Sequence, residues 1–196
     1  MVPEASDQAV ACAAICGLFA RVFRLGLEPG LLARCAADGL AGAWPVAPRT
    51  QAGCDALALF AKGLACLDES AVEADNTRLF LGPENPVPVW ESVWTTEDAL
   101  LFAPCEAEVR ALYAGAGFAP PCANEPADHL AYEFAFLATQ LSRGETKSAR
   151  AFLTDHLGRW GGACLAEISR CAETDLYRGA ARLAADFLAD EGIGPG

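Results

Sequence analysis

Leu130, Phe134, Leu137 and Leu141 stand four, three and four residues apart in the run HLAYEFAFLATQL. Only an α-helix gathers side chains with that spacing onto one stripe; a strand would divide them between two faces. This run constrains the architecture more than any other. Its start falls within NEPADHL, where Asn124 or Glu125 is a candidate cap, Pro126 suits the first turn and Asp128 suits the positive end of the helix dipole. His129 is left unexplained by that start, since it is not a preferred first-turn residue and sits beside core-facing Leu130.

Helical spacing recurs along the chain. Ser6 or Asp7 can cap a helix carrying Val10, Ala14, Leu18 and Val22, stopped by Gly26. Further helices are expected over about 29–40, around Leu57, Phe60, Ala61 and Leu64, and over about 70–81 with Gly82 as terminator. Pro104 opens another, carrying Val109, Leu112 and Tyr113. Phe152, Leu153, His156, Leu157 and Trp160 share a later face, which favours a packing role for His156. A last helix is expected over about 175–190. There is no alternating strand pattern and no internal period. The expectation is an all-α, single-domain bundle over residues 1–196, with roughly eight to ten helices and long Pro/Gly-rich connections around 41–53 and 83–97.

Hydrophobic residues make up 53% of the 196-residue chain and charged residues 20%, which suits a packed globule. The net charge of −12 disfavours nucleic acid and anionic membrane surfaces and favours basic partners. Nine cysteines occur without a CxxC pair, most of them beside Ala, Leu or Phe, where a thiol serves as a small hydrophobe. MVPEASDQAV has no basic n-region, and no apolar run approaches the roughly 20 residues of a membrane span, so a cytoplasmic location is expected. GxSxG, HExxH, P-loop and GxGxxG patterns are absent. A hydrolase built on His129 would lack a nucleophile. A thiol- or metal-responsive helical regulator remains the alternative of a different class.

Residues 78–94 read RLFLGPENPVPVWESVW. The apolar run breaks at Gly82-Pro83, meets two further prolines, and then sets Trp90 and Trp94 around Glu91-Ser92. Prolines fix φ and remove donors, so a stiff, extended, non-helical connection is expected, whose large side chains bury against helices or line a groove. The relative directions of Trp90 and Trp94 cannot be read from such a segment.

With EPADHLAYEFAFL and FLTDHLGRW following in order, this stretch resembles the TorD/DmsD/NarJ family of cytosolic redox-enzyme maturation chaperones, in its TorD/DmsD-like branch. The family pattern combines an Arg-Leu-Phe-x-Gly-Pro run, a proline-rich loop, an aromatic-Glu-Ser-Val-aromatic element and a Glu-Pro-x-Asp-His helix start. One departure is Asn76, where the family usually has an aromatic residue; it removes one ring from the proposed pocket. The resemblance implies a non-enzymatic, all-helical protein. Such proteins bind the twin-arginine leader of a molybdopterin oxidoreductase subunit, hold the apoenzyme until its cofactor is inserted, and prevent premature export. The resemblance places leader binding at Leu79, Phe80, Gly82, Pro83, Trp90, Glu91, Pro126, Asp128 and His129, and Trp94 could extend the apolar wall. Glu91 and Asp128 are the candidate partners for leader arginines, which pair bidentately with carboxylates. On this reading Trp90 and Glu91 face the client, with Asp128 and His129 opposite. No catalytic residue, metal or cofactor of its own is implied. Guanine nucleotide binding, associated with some members, stands behind these expectations, and the carboxylates of Glu125 and Asp128 make the helix start a poor phosphate site. The resemblance allows a monomer or a domain-swapped homodimer.

Overall fold

The computed structural model describes residues 6–24, 26–28, 30–82, 87–122 and 124–189. Its helices are α1 (Asp7–Val22), α2 (Leu31–Ala37), α3 (Gln51–Ala65), α4 (Glu69–Asn76), α5 (Glu91–Thr95), α6 (Pro104–Gly115), α7 (Leu130–Ser142), α8 (Thr146–Phe152), α9 (Gly158–Cys171) and α10 (Asp175–Leu188). Two π turns extend them: Thr77–Leu81 continues α4, and Leu153–Leu157 fuses α8 to α9. Among the described residues there is no strand, and the β-type pairing is one isolated antiparallel bridge between Trp90 and His129. The fold is all-α, as the helical spacing implies.

The Leu130–Leu141 stripe of α7 is buried as expected and packs along α1. The stripe expected on α1 is out of phase with the observed one. Cys12, Ile15, Cys16, Phe19 and Val22 face inward, whereas Val10 is 53% exposed and Ala14 is exposed. An Ala/Cys-rich helix is apolar nearly all round, so several four-residue series fit it, and α7 selects the face. Phe19 meets Phe134 at a centroid distance of 5.3 Å. Burial of a side chain of that size stabilises by about 1.5–3 kcal/mol.

Helix α10 runs against both α3 and α9. Its contact with α3 is made backbone to backbone. A Cβ on Gly179 would lie 2.5 Å from the Phe60 nitrogen, and one on Gly63 would lie 2.7 Å from the Leu176 nitrogen. The expected 41–53 connection ends earlier than predicted, because Thr50 caps α3 through the Gly53 N–H at 2.9 Å. Asp186 of α10 fastens this corner by accepting from the Arg49 N–H at 2.9 Å and the Thr50 hydroxyl at 2.6 Å.

Helix α4 is tied to the α9–α10 turn by a buried carboxylate. Asp75 accepts from the Glu173 and Thr174 N–H groups, the Thr174 hydroxyl and the Arg78 guanidinium, at 3.0, 2.8, 2.8 and 2.5 Å. Arg78 also donates to the Cys171 carbonyl at 2.7 Å, closing the C-terminal end of α9. Asn76, which stands where the family usually has an aromatic residue, serves the fold. It is buried, donating to Tyr177 Oη at 2.7 Å and accepting from the Gly26 N–H at 3.2 Å, so it joins the end of α4 to the α1–α2 connection and α10.

Candidate functional site

Residues 87–90 run extended beside the start of α7. Val87 donates its N–H to the Leu79 carbonyl at 2.8 Å. Leu130 N–H donates to Val89 at 2.7 Å, and Glu91 N–H donates to the Asp128 carbonyl at 2.9 Å. These bonds lay the proline-rich segment directly against PADH. Val87 and Val89 are buried, and Pro88 and Trp90 are half-buried, the two-residue alternation of a strand.

Past Trp90 the chain does not stay extended. Glu91–Thr95 forms the single-turn helix α5, correcting the expectation of a non-helical segment around both tryptophans. Its cap comes from another part of the sequence: Asp128 Oδ2 accepts the Ser92 N–H at 2.8 Å. Trp94 Nε1 donates to the Pro88 carbonyl at 2.8 Å, holding its ring against the extended segment.

The start of α7 also differs from expectation. The helix begins at Leu130, and Pro126 and Asp128 lie outside it, because 127–129 is engaged by the bridge. His129 is the cap, its Nδ1 accepting the Ala131 N–H at 3.0 Å. That bond leaves the ring proton on Nε2. Burial, helped by the positive charge of Arg24, drives the imidazole pKa down to about 3, so His129 is neutral. Its ring stands edge-on to Trp90 at 5.7 Å and against Tyr132 at 4.8 Å.

Behind this junction lies a buried polar layer. Glu91, 1% exposed, is hydrogen-bonded through Oε2 to His156 Nδ1 at 3.0 Å. The Leu153–Leu157 π turn carries His156, which stacks on Phe152 at 5.1 Å. Glu133 of α7 accepts from Trp160 Nε1 at 3.2 Å. Burial, reinforced by the Glu91 and Asp128 charges, pushes its carboxyl well above the usual range. Burial likewise raises Asp128, with hydrogen bonds from Ser92 opposing it. Glu106 of α6 accepts from the Ala127 N–H at 3.0 Å and pairs with Arg110. Several buried atoms here have no protein partner: Trp90 Nε1, Tyr113 Oη, Asp128 Oδ1, His129 Nε2 and Glu133 Oε1. Such groups are rare in folded proteins, and their concentration at one junction marks it out.

The expected site residues therefore divide. Trp90, Trp94 and Gly82 are half-buried, and Gly82 is extended at φ −65°, a conformation any residue can take. Pro83 lies outside the described residues. Leu79, Phe80 and Pro126 are buried, with the Phe80 ring edge-on to Tyr177 at 5.8 Å. Glu91, Asp128 and His129 point inward, where they cap helices and pair with one another's segments, so none faces solvent in this conformation. Glu106, Tyr113 and Glu133 escaped the sequence reading. Glu133 carried a legible signal, since it stands three residues after Leu130 and four before Leu137, on the apolar stripe.

The nine cysteines are thiols, of which Cys12, Cys16, Cys35 and Cys164 are buried and pushed up by that burial. No group of three or more His, Cys, Asp or Glu side chains suited to a metal occurs among the described residues. Nor is any described helix long and apolar enough to cross a membrane.

Comparison with known proteins fits this arrangement. The family model described as nitrate reductase delta subunit matches residues 46–166, from just before α3 into α9. Over 124 residues the chain is 34% identical to the chaperone protein YcdY of Escherichia coli K12, an alignment spanning 62% of this chain and 63% of that protein. The backbone superposes with a TM-score of 0.60 on a crystal structure described as a redox enzyme maturation protein from Archaeoglobus fulgidus, at 19% identity over 91% of this chain and 94% of that one. The last likeness shows the fold alone. With the WESV and EPADH runs meeting at one junction, the chain belongs to the nitrate reductase delta subunit family, the TorD/DmsD/NarJ-type group of redox-enzyme maturation chaperones.

Proposed function

We propose that this protein is a cytoplasmic chaperone for the apo-form of a molybdopterin oxidoreductase subunit. It binds the subunit's N-terminal twin-arginine leader, holds the subunit for cofactor insertion, and delays its export. The observation that carries the reading is the juxtaposition of Trp90 with His129, with unpartnered polar atoms gathered behind them. Trp90 and Trp94 offer half-buried aromatic faces to the leader, with Gly82 at the mouth. Leu79, Phe80 and Pro126 support that wall from the core. Asp128 spends one oxygen on Ser92, and its buried Oδ1 meets a leader guanidinium only once the junction opens, while Glu91 and His129 hold α5 and α7 in register. Arginine suits this acceptor because its planar fork satisfies more than one orphaned oxygen at once.

Titration of a fluorescent leader peptide tests the assignment. Trp90→Ala is expected to weaken binding about ten-fold or more, the effect of removing a central aromatic anchor, with the helical circular dichroism unchanged. Wild-type affinity in the folded variant would contradict the site.

A further inference from the structure

We propose that the turn Ala99–Phe102 is a docking surface for the apolar, positively charged part of the client polypeptide. This inference rests on the chaperone reading and adds a second contact area to it. Leu100, Leu101 and Phe102 are consecutive and are 63%, 43% and 64% exposed. The other large exposed hydrophobics among the described residues, Val10, Leu81 and Leu112, are scattered singly along the chain. Single exposed apolar residues are ordinary, but three in a row on one turn mark an interaction surface.

The backbone holds them out at a conformational cost. Ala99 and Phe102 sit at φ 48° and 61°, the left-handed region that L-residues avoid. At the other described positive-φ positions, Gly26, Gly30, Gly39, Gly117 and Gly144, the chain uses glycine. Folding into the core would relieve the exposure, yet the turn stays outside, between α5 with its Trp94 and α6.

Charge selects the occupant. Glu97 and Asp98 are exposed immediately before the turn, Glu108 is exposed on α6, and residues 95–109 contain no Lys or Arg. Arg110, the first cation beyond, is paired with Glu106. An anionic membrane surface would be repelled by these carboxylates, and so would a second copy of a chain with net charge −12. A peptide that joins arginines to an apolar stretch satisfies both the apolar face and the acidic rim. The turn follows Trp94 closely in sequence, with four residues between Trp94 and Ala99, so one peptide can span this surface and the proposed leader site.

Two exposed double variants test the inference, Leu100→Ser with Phe102→Ser and Glu97→Gln with Asp98→Asn. They are titrated with a full leader peptide and with a truncated one that keeps the arginines and lacks the apolar stretch. The apolar variant is expected to bind the full peptide about ten-fold or more weakly and the truncated peptide as the wild type does. The charge variant is expected to weaken both and to flatten their salt dependence. Full-peptide binding unchanged in both variants overturns the docking surface and leaves the chaperone reading standing. A wild type that binds neither peptide overturns both. A dimer, or binding to anionic vesicles, that is lost in the apolar variant assigns the turn to another partner and overturns the inference.

Discussion

Glu133 is wholly enclosed, with one oxygen on the Trp160 indole and the other unpartnered, beside the carboxylates of Glu91 and Asp128. Its raised pKa means that the folded state binds a proton the unfolded state releases above about pH 4.3. Its contribution to stability is therefore complete below that pH and is lost as pH rises toward the folded-state value. Asp128 acts in the same direction. His129 acts in the opposite sense: neutral in the fold down to about pH 3, it protonates on unfolding below about pH 6.5, so stability falls as pH drops through that window. Above about pH 6.5 the histidine effect is spent, and each raised carboxyl costs at most about 1.4 kcal/mol per pH unit until its folded-state pKa is reached. Glu133→Gln, which retains an acceptor for Trp160, is expected to flatten, relative to the wild type, the loss of stability as pH rises above about 4.3 in urea unfolding. Parallel curves for variant and wild type would show that Glu133 does not titrate in this way. The sequence held only part of this layer. Glu133 on an apolar stripe was visible, whereas the Glu106–Arg110 pair reads like any surface i,i+4 pair until Ala127 is seen to need the same oxygen.

At the scale of elements, the two π turns do what α-helical spacing alone could not. Both fall in family motifs, TRLFL and LTDHL, and each inserts a residue that re-aims the side chains after it. One directs Leu79 and Phe80 into the core, and the other brings His156 to Glu91. Sequence periodicity assumes a constant turn, so these shifts were hidden, as was the start of α7, because PADH answers to a chain segment some forty residues earlier. Long stripes such as Leu130–Leu141 were legible because only one face was possible. The α3–α10 contact yields a sharper prediction. Gly179→Ala forces a methyl group onto the Phe60 backbone and is expected to cost about 1–3 kcal/mol in denaturant unfolding. Gly162→Ala, in α9 with open space around the added carbon, is expected to be neutral or to stabilise by up to about 1 kcal/mol. Equal effects at the two positions would contradict a backbone-to-backbone crossing.

Over the whole molecule, a chain of net charge −12 presents an acidic field with an exposed apolar turn and half-buried tryptophans along one connected stretch from α5 to α6. That combination suits a client segment that is basic and apolar together. A second candidate surface lies elsewhere, in an open, mostly apolar groove of about 570 Å³ between α3, α9 and α10, where Leu165, Ala181 and Ala185 form part of the lining. The client is expected at the first of these and not at the second. The most direct measurement is photo-crosslinking of a leader peptide that carries a photoreactive group beside its arginines, followed by mass-spectrometric mapping on the full chain. The account predicts adducts within residues 79–102 and 126–129. Adducts confined to the groove of Leu165, Ala181 and Ala185 would contradict it.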